Sequence, residues 1–89
     1  MITAMTVRPS RPGNEARRKI LAELRRGELA RERPPSIYAL AKAIGLTYTP
    51  TRVHLSHLSE AGLIYWAPTR GQQNAGPVLT PAGRMAAGL

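Results

Sequence analysis

Apolar positions along this chain form three helical stripes followed by two strand-like runs. In the first stripe Ala16, Ile20, Leu21 and Leu24 share one helix face, while Arg17, Arg18, Lys19, Arg25 and Arg26 lie around the rest. Recurrence at three and four residues is the signature of an amphipathic helix. Asn14 is placed to cap this helix and Glu15 to complement its dipole. The helix is expected to end near Arg26, where Gly27 can break it, or at Arg31 if Leu29 packs. Pro34 and Pro35 then impose extended backbone.

The chain is organised around Ser36 to Ile64, SIYALAKAIGLTYTPTRVHLSHLSEAGLI. Ser36 is an N-cap, because its hydroxyl can accept from a free amide of the first turn. Ile37, Leu40, Ala41 and Ile44 give one apolar face, Gly45 supplies a left-handed helix end, and Leu46 turns back to close the corner. A second helix restarts at Thr47 or Thr49, and Pro50 suits the first helical position behind a Thr49 cap. Thr51, Leu55 and Leu58 make its inner stripe and Gly62 ends it. Two short helices with a tight turn form a helix-turn-helix, whose second helix usually enters a DNA major groove.

Beyond Gly62, Leu63 to Trp66 and Val78 to Thr80 are β-rich runs around a polar stretch, 67–77, which holds Gly71, Gln72, Gln73, Asn74 and Gly76. That is the pattern of a hairpin with a long loop. Tyr65 and Trp66 alternate across the strand, so Trp66 is assigned to the core and Tyr65 to the outside. Thr80-Pro81 is a cap and first position for a last helix through Arg84 and Met85, too short to stand alone. Residues 1–13, with RPSRPG at Arg8 to Gly13, read as a flexible basic arm. The expected organisation is that arm and one α+β domain over 14–89: a three-helix core, a two-stranded hairpin and a short C-terminal helix.

Charge narrows the function. Thirteen Lys and Arg face five acidic residues over 89 positions, for a net charge of +8 and a pI near 11.4. Most of these cations are Arg, the side chain that grips phosphate bidentately and reads guanine edges. Such a domain is expected to meet a polyanion. A membrane-surface helix would need a broad apolar face opposite its Arg residues, and every apolar face here is required by the core. No apolar run approaches the roughly 18–20 residues that span a bilayer. Ile2 to Val7 is too short and polar for a signal peptide. With no cysteine, neither disulfides nor thiolate zinc ligands are available. The expectation is a soluble, cytoplasmic protein with no membrane association.

Several of these residues together resemble winged helix-turn-helix repressors, most of all the DNA-binding half of LexA-type repressors. They are PPSI at Pro34 to Ile37, Leu40 with Ala43, Gly45-Leu46, HLSHL at His54 to Leu58, and Glu60-Ala61-Gly62-Leu63-Ile64, with Pro68-Thr69-Arg70 where that family begins its wing. The similarity covers roughly Arg17 to Leu79. The turn into the second helix is about one residue shorter than in LexA-type repressors, the wing is longer, and no self-cleaving peptidase half follows. LTPAGR at Leu79 to Arg84 is more similar to the wing exit of MarR- or ArsR-type regulators.

The resemblance implies a winged fold and a sequence-specific regulator of transcription, a small repressor, that binds double-stranded DNA. The recognition helix would span about 49–61 and the wing 67–77. A second copy of the chain is a further expected partner, since a dimer on a two-fold site gains specificity. The DNA-binding set is Ser36, Tyr48, Thr49, Thr51, Arg52, Val53, Ser56, His57, Arg70, Gln72 and Gln73. Thr51 belongs to this set and also to the inner stripe. Arg52 can bond both acceptors of guanine or clamp a phosphate. Tyr48 and Val53 can pack on thymine methyls, and Arg70 can reach a narrow groove. The cluster Arg17 to Arg26 can touch phosphates, although a solvated helix face accounts for most of it.

His54, His57 and Glu60 fall at metal-ligand spacing on one helix edge. A partly buried structural histidine beside a phosphate-facing one fits better, and no cofactor is expected. No serine, histidine and acid stand at catalytic spacing, and no phosphate-cradling glycine motif occurs, so an enzyme is not expected. Two other readings stay open: a winged-helix protein-interaction module, and an architectural protein that coats nucleic acid without reading it.

Overall fold

Four helices and one antiparallel hairpin make an α+β architecture in the computed structural model, which describes residues 12–68 and 75–88. In chain order these are α1 (Pro12–Leu29), α2 (Ile37–Ile44), α3 (Tyr48–Glu60), β1 (Ile64–Pro68), β2 (Ala75–Leu79) and α4 (Pro81–Ala86). The arm expected over 1–13 lies outside the described residues except for its last two. Arg70, Gln72 and Gln73 lie outside them as well.

The expected stripes supply the core. Ile20, Leu21 and Leu24 of α1 meet Leu40 of α2, Leu55 and Leu58 of α3, and the cross-strand pair Ile64 and Leu79. Ile37, Ile44, Leu63 and Ala87 pack around this cluster, half-buried. Full burial of one such side chain is worth about 1.5–3 kcal/mol over exposure, so these few residues carry most of the folding drive.

Helix ends depart from expectation where backbone chemistry overrules composition. The first helix begins at Pro12, ahead of Asn14, because proline is tolerated in a first turn whose amides have no intrahelical acceptor. It also runs through Gly27, at a cost of about 1 kcal/mol against alanine. Leu29 stays exposed. The end is closed instead by backbone: Glu32 N–H donates to Gly27 C=O at 2.8 Å around Arg31, whose φ of 60° is left-handed.

The second and third helices are joined by the expected corner. Ser36 Oγ accepts from Ala39 N–H at 3.1 Å. Gly45 has φ 79°, and Leu46 N–H reaches back to Ala41 C=O at 2.9 Å. Of the two restart points the chain uses Thr47, which makes no side-chain cap bond, and Pro50 becomes the third helical residue rather than the first. An absent N–H costs nothing there, since first-turn amides are unpaired anyway.

The hairpin is longer than its sequence suggests. Pairing runs from Ile64↔Leu79 to Pro68↔Ala75, so 67, 68 and 75–77, expected in the polar stretch, belong to strands. Pro77 fits because both strands of a two-stranded sheet are edges. Gly76 is buried where a Cβ would lie 2.8 Å from Pro34 Cβ, so β2 rests directly on the connection between α1 and α2. Trp66 is not core as expected. It is 37% exposed and Tyr65 51%, because in the Trp66↔Pro77 pair, two beyond Ile64↔Leu79, Pro77 takes the buried position.

Thr80 locks the last helix. Its Oγ1 accepts from Gly83 N–H at 3.0 Å and donates to Gly62 C=O at 2.6 Å, while its own N–H donates to Leu63 C=O at 3.0 Å. Gly83 is buried, and a Cβ there would collide with the Leu63 carbonyl. Among the described residues, no helix is long and apolar enough to cross a membrane. Gly83→Ala is expected to push α4 off this seat and cost about 1–3 kcal/mol or more. Urea denaturation checks it, and stability equal to the parent would show that the seat can relax.

Candidate functional site

Helix α3 buries one side and offers the other. Thr51, Leu55 and Leu58 are buried at successive turns, whereas Tyr48, Thr49, Arg52, Val53, Ser56, His57 and Glu60 are exposed. The expected outward set therefore shares one continuous surface, with one correction. Thr51 has no exposed surface, and its Oγ1 donates to Thr47 C=O at 2.8 Å. It braces the first turn from inside and cannot meet a ligand. Ser36 is exposed, with its hydroxyl engaged in capping α2.

Two residues apart on a helix lie roughly 200° around its axis, so Arg52 and His54 flank the outward face on opposite sides. The Arg52 side faces α2. There Tyr38, 73% exposed, sets its ring against Tyr48 at 4.8 Å between centroids, tilted by 43°. Such ring pairs are worth about 0.5–1.5 kcal/mol beyond burial. Tyr38 is missing from the expected set. Its signal was an aromatic on the polar side of α2, a position the apolar stripe cannot use.

The His54 side faces α1. Arg17 Nε donates to His54 Nδ1 across a long 3.4 Å bond, and both side chains are half-buried. An imidazole nitrogen can accept only when unprotonated. Burial, then the neighbouring Arg17 and His57, hold His54 below its ordinary 6.5. Arg17 thus does not belong to the solvated face assigned to it. It precedes Leu21 by four residues and Leu24 by seven, so it occupies the apolar stripe itself where that stripe leaves the core.

Charge is segregated along α1. Three of the five acidic residues, Glu23, Glu28 and Glu32, gather at its C-terminal end. Arg26 pairs with Glu23 at 2.7 Å and with Glu32 at 3.0 Å. Glu28 takes Arg84 at 2.9 Å and Arg25 at 2.8 Å. The hydrogen bond from Arg84 holds the Glu28 carboxyl below its ordinary 4.5, against the opposing effect of burial. A groove between Leu24, Pro35 and Val78 opens at this end, where the carboxylates are already matched. Around α3 the balance is different. Arg17, Arg18, Lys19, Lys42 and Arg52 have no carboxylate partner among the described residues, and Glu60 stands alone at the far end of the helix. Arg52 on α3 and Arg17 beside His54 thus stand unpaired on the two flanks of its outward face.

No group of three or more potential metal ligands comes together among the described residues. His54 spends its Nδ1 lone pair on Arg17. This arrangement can hydrogen-bond and pack on a long polyanionic surface.

His54 also makes the fold sensitive to acid. Its folded pKa lies below 6.5, so the stabilisation is complete above that value and is lost as the pH falls through the folded pKa. Glu28 acts the same way but only below 4.5. Denaturant midpoints measured downward from pH 6.5 should therefore fall in the parent. His54→Asn, which keeps an acceptor but cannot titrate, should stay flat until Glu28 protonates; an equally sloping variant would exclude His54 as the cause. Comparison of the chain with known protein families, with curated proteins and with solved structures finds no match.

Proposed function

We propose that this chain is a winged helix-turn-helix protein that binds double-stranded DNA and regulates transcription, with α3 in the major groove. The observation that carries this reading is the outward face of α3. From Tyr48 to His57 it is open, free of carboxylates, and mixed in hydrogen-bonding and apolar groups. A helix of this length fits a groove about 12 Å wide, and its N-terminal residues come nearest the base edges. Thr49, Arg52 and Ser56 supply donors and acceptors, while Val53 and Tyr48 supply contact for thymine methyls. The unpaired cations around this face supply the sequence-independent part of the affinity.

An interaction module for another protein is favoured by the exposed apolar surface of Tyr48, Val53 and Tyr65, with Tyr38 beside them on α2. Nothing pairs the neighbouring cations in that reading unless the partner is strongly acidic. DNA accounts for both features at once. Catalysis has no support in the groups present.

A binding selection from random duplexes tests the reading. A recurring motif that beats a scrambled duplex by about 10³ or more at physiological salt is expected. A steep salt dependence shared by both duplexes would make the protein a charge-driven binder instead. Arg52→Ala is expected to relax preference at one or two base pairs, with about 1–3 kcal/mol of lost discrimination. Uniform weakening over all sequences would make Arg52 a phosphate contact.

A further inference from the structure

We propose that Arg17 is a phosphate clamp on the flank of α3 opposite Arg52, and that His54 is the positioning residue that aims it. The inference rests on the DNA reading above and assigns to α1 a contact that reading does not contain.

Arg17 stands at a stripe position, so its aliphatic stem runs along the edge of the core while its guanidinium emerges beside α3. A free surface arginine samples many rotamers, and ordering it on a ligand opposes binding by up to about 1.5–2 kcal/mol. Here that freedom is already reduced. The half-buried stem and the bond from Nε to His54 Nδ1 fix the plane of the guanidinium. Nε is the nitrogen that a clamp can spare, because the two terminal nitrogens remain to donate in parallel to one phosphate. Arg17 has no ion pair among the described residues, and the paired carboxylates Glu23, Glu28 and Glu32 lie toward the helix's other end. His57 is exposed one turn beyond His54, on the same flank.

The placement matches a duplex. A helix in the major groove has one phosphate strand on each side. Arg52 stands on one flank of α3 and Arg17 on the other, so Arg17 meets the strand on the side of the groove away from Arg52. A fixed contact on that strand limits the roll of the helix, which lets short side chains such as Thr49 and Ser56 reach base edges.

The test is equilibrium binding of a fluorescein-labelled mixed-sequence duplex over a salt series. The pH is set well above the ordinary imidazole value, so that no histidine carries charge. Arg17→Ala is expected to reduce the slope of log affinity against log salt by about 0.9, the signature of one lost phosphate contact. His54→Leu should reduce it equally although no charge is removed, and the double variant should lose no more than either alone. His54→Asn, which restores an acceptor near Nδ1, should keep the parent slope, as should the charge-matched control Arg31→Ala. If His54→Leu does not fold, Arg17→Ala, Arg31→Ala and His54→Asn carry the comparison.

An unchanged slope in Arg17→Ala, with the parent still binding the duplex, overturns the clamp and leaves DNA binding standing. Additive losses in the double variant overturn the positioning role of His54. A parent protein that binds no duplex at low salt overturns the clamp and the DNA reading together.

Discussion

The burial of α3 along Thr51, Leu55 and Leu58 is the constraint on which everything else in this protein rests. Leu55, wholly enclosed, belongs to the cluster where α1, α2 and the base of the hairpin converge. A thirteen-residue helix of mixed composition has little stability of its own and is held by that contact. Anchoring one side so firmly also fixes which side faces out. The outward face is what remains once the core has taken its three turns, and its direction is as rigid as the core.

Charge is arranged around the same constraint. A chain with a net charge of +8 repels itself, and pairing at random would leave that repulsion spread evenly over the surface. Instead Glu23, Glu28 and Glu32 gather toward the C-terminal end of α1 and pair with Arg25, Arg26 and Arg84, two of which stand on the same helix. Exposed pairs of this kind contribute little to stability. Their consequence is positional: these carboxylates are engaged at the C-terminal end of α1, while Arg17 and Arg52 beside the face of α3 stay unpaired. The field that would draw in a polyanion is made by where the carboxylates are as much as by where the arginines are.

Much of this was legible in the chain. The stripes of α1, α2 and α3 named nearly every core residue, since apolar side chains at a spacing of three to four line up along a single helix face. Ser36, Gly45 and Thr80 marked their helix ends because each uses a local hydrogen bond or backbone conformation that its neighbours cannot supply. What the sequence concealed depended on contacts across the fold. Gly27 and Pro12 looked like breaks, yet both are absorbed into a helix held from outside its own turns. Pro77 looked like loop because a sheet of only two strands is hard to infer from composition. Trp66 looked like core because its size argues for burial, whereas the buried member of its cross-strand pair is Pro77. In the candidate site, the exposed set on α3 followed from spacing alone. Thr51 was over-assigned, its spacing pointing inward all along. Arg17 was under-assigned, because a charged residue in an apolar stripe is easily counted with its charged neighbours. Its partner His54 is 37 residues away, beyond any local pattern.

The hairpin is tied to the helical body at two separate points, and the combination has a mechanical consequence. At its base Thr80 bonds Gly62 and Leu63, the residues through which α3 leaves for β1. Farther out Gly76 lies against Pro34 and Pro35, the segment that leads into the cap of α2. A two-stranded sheet held at one point would pivot, and at two points on either side of the core it cannot. The hairpin therefore projects at a set angle to the helix pair rather than as an independent flap. A surface touching both α3 and the hairpin must match their relative geometry or deform to do so. DNA meets that demand by bending and by groove width, both of which vary with sequence. Selectivity in such a complex would arise partly at base pairs that no side chain contacts, through the rigidity of two small junctions built from a threonine, two glycines and a pair of prolines.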